Sequence, residues 1–186
     1  MSSQHRRDGA AFPSVATLLV DLLGRLTSAL AALGAGLAML LVIYMLGHIL
    51  LEIGLRLFGR STFILDEYIG YAVAAMTFLG IPYALEKGGL IRVELVLNRL
   101  PQAWRWPLEL FASISALLAF GWIARYWTIA VERSFQRGIT SETLAETPLW
   151  IPQGTVLIGL YLLCLVLITR TLRILVRRKT FDSGED

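Results

Sequence analysis

The side chains of this sequence that could hold a metal or move a proton are a few carboxylates, two histidines and one cysteine. Asp66 and Glu67 are adjacent, and Glu86 and Glu94 bracket a pair of glycines. A di-metal carboxylate bundle needs Glu-x-x-His pairs projecting from facing helices, and neither pair has that spacing. A membrane haem held by two histidines needs both at membrane depth. His5 lies in a polar N-terminal stretch and His48 near the end of a long apolar run, so the pair is not supplied. Cys164 is the one cysteine, which excludes an intramolecular disulfide and a cysteine-based zinc site. Glycine-rich phosphate loops and nucleophile elbows are also absent from the sequence. The expectation is a chain that is not an enzyme and uses no cofactor or metal.

The elements that carry these residues are apolar to a degree that decides the class. Of the 186 residues, 56% are hydrophobic and 17% charged, a composition typical of membrane proteins. Uncharged runs cover residues 29–51, 68–85, 110–124 and 147–169. A helix of about 20 residues crosses a hydrocarbon core of about 30 Å, and three of the runs reach that length. The other run suffices if Arg125 snorkels, which extends it to residues 107–130. The sequence therefore predicts an all-α integral membrane protein of four transmembrane helices, at residues 26–51, 68–86, 107–130 and 147–170. Lys and Arg number twelve in the N-terminal, second-loop and C-terminal segments against four in the first and third loops. By the positive-inside rule both termini are cytoplasmic. The net charge of +3 reflects this orientation bias, and no nucleic-acid partner is expected. Trp122, Trp127 and Trp150 are expected at one interface, Trp104 and Trp106 at the other.

Two further segments read as interfacial helices. Residues 12–25 place Phe12, Val15, Leu18, Leu19 and Leu22 at helical spacing before the first span. Residues 88–101 lie within the stretch "EKGGLIRVELVLNRLP". On a helix, Leu90, Val93, Val96, Leu97 and Leu100 form one apolar stripe and Ile91 and Leu95 another, separated by Arg92, Glu94, Asn98 and Arg99. A helix resting on lipid needs one apolar face, so the second calls for a protein partner. The tail, residues 177–186, is polar. In the first span Ala31 and Ala35, and likewise Ala32 and Gly36, stand four apart. Small residues at that spacing let helix backbones approach. Pro82 interrupts the second span near its end.

The four spans carry no charge at their centres, where burying one is costly and normally marks a substrate path. Paired interrupted helices, the mark of a midplane transport site, are also missing. A self-contained homo-oligomeric transporter or channel remains the alternative, motivated by the small-residue face of the first span.

The block "DEYIGYAVAAMTFLGIPYALEKGGLIRVELVLNRLP", residues 66–101, resembles the small membrane subunit of tripartite ATP-independent periplasmic (TRAP) transporters, the DctQ-like family. Glu67 takes the acidic position before the second span. Phe78, Leu79 and Gly80 match "FLG", and Gly88, Gly89, Ile91, Arg92 and Val93 match the core of "GGHIRVD". Leu90 stands in place of the usual histidine, Glu94 in place of aspartate, and Gly70 where arginine is frequent. The resemblance implies a non-catalytic scaffold in the bacterial inner membrane. Its partners would be a large multi-span subunit carrying the sodium-coupled path, a periplasmic binding protein delivering an organic acid, and membrane lipids. Glu67, Arg92 and Glu94 are the residues expected to serve assembly, with Leu90, Ile91 and Leu95 as apolar contacts. Arg125 reads first as an ordinary interfacial anchor; it and Glu132, near the outer face, are also candidates for meeting the binding protein.

Overall fold

A computed structural model describes residues 15–88 and 102–182, with side chains described for residues 18–88 and 106–176. The described chain forms four long helices: α1 (Val15–Leu57), α2 (Leu65–Glu86), α3 (Gln102–Gln136) and α4 (Trp150–Asp182). Each contains a stretch long and apolar enough to cross a membrane. The all-α architecture with four long apolar helices is thus as the hydropathy pattern requires. The segments expected as an interfacial helix and a first span share the continuous helix α1 from Val15 onward. No proline lies between Val15 and Leu57 to break the backbone ladder.

Helix α4 is central: it packs against α1, α2 and α3, while α1 also packs along α2. Its buried residues Val156, Leu160, Leu163, Val166 and Leu167 recur every three or four positions, so they lie on one side of the helix. Val156 and Leu160 join Ala124 of α3 in a core cluster flanked by Phe78, Phe120 and Trp127. Helix α2 contributes a narrower face of Ala72, Ala75, Leu79 and Pro82. Most of α1 points outward, with Leu33, Met39, Ile43 and Leu46 exposed. In water that surface would be untenable; in a bilayer it is the face the lipid or a neighbouring protein covers.

Two close backbone approaches occur at Phe78 and Leu79. Pro82 has no N–H, so the Phe78 carbonyl loses its usual partner four residues on. That carbonyl faces Gly159 of α4, where an added Cβ would stand only 2.5 Å from the oxygen. One residue on, the Leu79 carbonyl faces Gly34 of α1, where a Cβ would stand 2.8 Å away. The two glycines let three backbones converge, the arrangement in which Cα–H groups meet carbonyl oxygens between helices. The buried face of this part of α1 is accordingly Gly24, Thr27, Ala31 and Gly34. Ala31 belongs to the small-residue pattern read from the sequence. Ala32 is exposed, and a Cβ at Gly36 would meet nothing within 4 Å, so that second pair does not form the contact.

Helix α2 ends as its sequence prescribes. Lys87 and Gly88 donate N–H groups back to Tyr83 and Leu85, and Gly88 adopts φ +74°, a left-handed turn that costs glycine little.

Candidate functional site

Both interhelical loops described, residues 58–64 and 137–149, lie at one end of the bundle, and each is organised by a carboxylate. Glu67 lies in the first turn of α2. It accepts a hydrogen bond from Tyr71 one turn on (2.9 Å) and another from Thr143 in the loop between α3 and α4. Because the Thr143 hydroxyl donates to the carboxylate, Ser141 must donate to Thr143 across 3.0 Å. Ser141 Oγ in turn accepts the Thr147 N–H at 3.1 Å. A relay of oriented donors therefore runs from the loop backbone to Glu67.

The loop itself is a miniature hairpin. Ser141 N–H bonds Thr147 O at 2.9 Å, Leu149 N–H bonds Ile139 O at 3.0 Å, and Thr140 bridges to Pro148. Gly138 (φ +59°) and Glu146 (φ +44°) make its left-handed turns. Nonglycine residues are uncommon in that region and need support from their surroundings. The tip exposes Leu144, which is 77% accessible. Glu67→Ala should free this hairpin without unfolding the bundle: hydrogen exchange at the Ser141 and Leu149 amides is expected to quicken roughly tenfold, while α4 amides keep their protection. Unchanged exchange in the loop would show that Glu67 does not hold it.

The second carboxylate, Glu52, was not singled out by sequence reasoning. It sits in the last turns of α1 and is only 1% exposed. Its Oε1 accepts from Ser61 and from Arg56 Nε at 3.2 Å; its Oε2 accepts from the Thr62 backbone N–H at 3.1 Å and the Thr62 hydroxyl at 2.7 Å. Ser61 Oγ also accepts the Phe63 N–H at 3.2 Å. Phe63 is thereby held at φ +58°, a strained conformation for a bulky residue. The one signal available in the sequence is that Glu52 is the sole acidic residue between Asp21 and Asp66, four before Arg56. A lone carboxylate there, followed by Ser61 and Thr62, is a loop anchor in search of donors.

Both oxygens of each carboxylate are occupied by donors, so Glu52 and Glu67 serve as clamps that shape loops, not as proton-transfer groups. Around them the loop between α1 and α2 exposes Phe58 and Phe63, and an open recess of about 290 Å³ is lined by Glu52, Arg56, Ser61 and Asp66. His48 lies one turn before Glu52; its Nδ1 is 3.0 Å from the Tyr44 hydroxyl and its ring meets Tyr68 edge-on.

At the opposite end, Thr27 and Thr169 hydrogen-bond across α1 and α4 at 3.1 Å. Beside them, Glu86, Arg170 and Arg173 line a cavity of about 150 Å³. Of the assembly residues expected from the sequence, Glu67 is placed in the loop clamp. Leu90, Ile91, Arg92, Glu94 and Leu95 lie outside the described residues, as does most of the expected helix at 88–101. The structure thus does not bring the two groups together or separate them.

Comparison with known proteins adds what geometry alone does not supply. Residues 45–177 match the family described as "Tripartite ATP-independent periplasmic transporters, DctQ component". No curated protein and no solved structure matches the chain. The match covers the C-terminal end of α1 from residue 45, all of α2, α3 and both clamped loops, and α4 through its apolar stretch. The chain belongs to the DctQ component family of tripartite ATP-independent periplasmic transporters, a family of transport subunits and not of enzymes.

Proposed function

We propose that this chain is the small membrane subunit of a tripartite, sodium-coupled importer of organic acids in a bacterial inner membrane, with both termini cytoplasmic. It acts as a scaffold: it holds the large multi-span subunit in place and offers the periplasmic binding protein a docking surface. The observation that carries this reading is the family match over residues 45–177. It agrees with the charge count, which puts the two clamped loops on the periplasmic side. There, Glu52 and Glu67 hold exposed Phe58, Phe63 and Leu144 in fixed positions, a preorganised surface suited to a soluble partner. The wide apolar face of α1 suits a protein that spans the bilayer beside a larger neighbour.

Uptake measured in proteoliposomes tests the reading. With the large subunit and binding protein present, a sodium gradient should drive organic-acid accumulation that depends on this chain. Sodium-driven uptake by this chain alone would instead support the self-contained transporter. At the expected contact helix, Arg92→Glu should lower recovery of the large subunit by roughly threefold to tenfold in affinity purification, the range of a weakened interfacial charge pair. Unchanged recovery and unchanged uptake would remove Arg92 from the interface.

A further inference from the structure

Between charged Glu109 and Glu132, helix α3 carries one charge, Arg125. That stretch is about 34 Å long, close to the thickness of a hydrocarbon core, and Arg125 lies about 10 Å inside its nearer end. In an α-helix the Cα–Cβ bond tilts toward the N-terminus. Since the nearer exit for Arg125 is toward the C-terminal end of α3, its side chain starts away from that interface and toward the middle of the span. Snorkelling to solvent must reverse that direction. A guanidinium so placed is costly to keep in lipid and calls for a counter-charge.

The described residues do not provide one. Arg125 is exposed, and among the described residues it makes no hydrogen bond or ion pair. It lines an open groove of about 740 Å³ between α3 and α4, with Gly121, Thr128, Ile129, Tyr161 and Cys164. The groove's hydroxyls are already committed: Thr128 donates to the Ala124 carbonyl at 2.7 Å, so Tyr161 donates to Thr128 across 3.0 Å. Arg125 is left as the group able to bind an anion. The groove floor is open at Gly121, where an added Cβ would meet nothing within 4 Å, so another backbone can come close.

We propose that the α3/α4 groove seats a transmembrane helix of the large subunit, and that a carboxylate on that helix pairs with Arg125. This rests on the small-subunit reading above and names a further face, besides the expected contact helix, through which assembly occurs. The occupant is a helix, not a lipid, because phospholipid phosphates lie outside the hydrocarbon core, whereas a helix can present a carboxylate at the depth of Arg125. The low-dielectric setting makes the pair directional and selective.

The test uses the full chain co-expressed with its large subunit in bacterial membranes. A photo-crosslinking amino acid is placed at Ile129 beside the groove or at Leu40 on the exposed face of α1. Expected is an adduct with the large subunit from position 129, and at least a tenfold loss of co-purified large subunit in Arg125→Glu, with Arg125→Lys retaining it. Changing one intramembrane Asp or Glu of the large subunit to Arg should restore recovery with Arg125→Glu. Thermal melting of Arg125→Glu alone should match the wild type, separating interface loss from misfolding. Adducts from position 40 but not 129, with Arg125→Glu recovered normally, overturn the groove while leaving the small-subunit reading intact. A phospholipid adduct at 129 with unchanged recovery likewise overturns it. Failure of the wild type to recover any large subunit sinks the small-subunit reading and this inference with it.

Discussion

Gly159→Ala is expected to destabilise the bundle by about 2–3 kcal/mol, and Gly159→Leu to prevent its assembly. The reason is specific to what the new methyl group would meet. A Cβ at this position would stand 2.5 Å from the Phe78 carbonyl oxygen and 2.6 Å from its carbon. Backbone cannot rotate away as a flexible side chain can, so α2 and α4 must separate. Separation would also loosen the cluster of Ala124, Val156 and Leu160, which Phe78 flanks. Thermal melting of detergent-solubilised protein measures the effect. Gly36→Ala is the matched control, because the Cβ added there meets open space. It should be neutral or slightly stabilising, since alanine favours the helix by up to about 1 kcal/mol over glycine. Equal melting of the two variants would refute the close packing of α2 on α4.

Glu52→Ala is expected to have the other large effect, and it acts through a loop. The substitution removes the acceptor for Ser61, for both Thr62 donors and for Arg56 in one step. Donors left unpaired at a buried site are costly, so the loop between α1 and α2 should open. A fall in melting temperature of at least ~5 °C is expected, within what severe single substitutions produce. Cleavage by an added protease near Arg60 should accelerate by ~10-fold or more. Phe63→Gly in the same background gives a second readout. With φ +58° at this position, glycine relieves the backbone strain that Glu52 helps to hold. It should recover part of the lost stability if the clamp works as described, and none if Phe63 is unstrained. Glu52→Gln should be milder, because its amide oxygen still accepts.

The four apolar helices were legible because the bilayer imposes a local rule. About 20 consecutive residues must satisfy lipid wherever a chain crosses, and no distant residue can relax that demand. The end of α2 was legible for a similar reason, as the turn at Gly88 depends on its own backbone. Glu52 was not, because the uncharged run ends at Leu51 and a charge beyond it reads as the start of a loop. Whether such a carboxylate is solvated or buried depends on where Ser61 and Thr62 return, which is a property of the folded turn. The role of "FLG" was legible only as a resemblance; that Phe78 and Leu79 present carbonyls to Gly159 and Gly34 emerged from packing.

Sequence alone determined the membrane class, the presence of four long apolar helices and the family-like block around Glu67, since each depends on residues close together in the chain. Tertiary structure decided which of two small-residue pairs in α1 faces inward, and it joined Glu67 to Thr143 across 76 positions. It also placed Arg125 on an open groove between α3 and α4, with no partner among the described residues. Helix faces with equal small-residue patterns are indistinguishable until another helix selects one, and a carboxylate's role is open until its donors arrive. Both choices are made by contacts between distant segments, so they come into being only when the four helices pack.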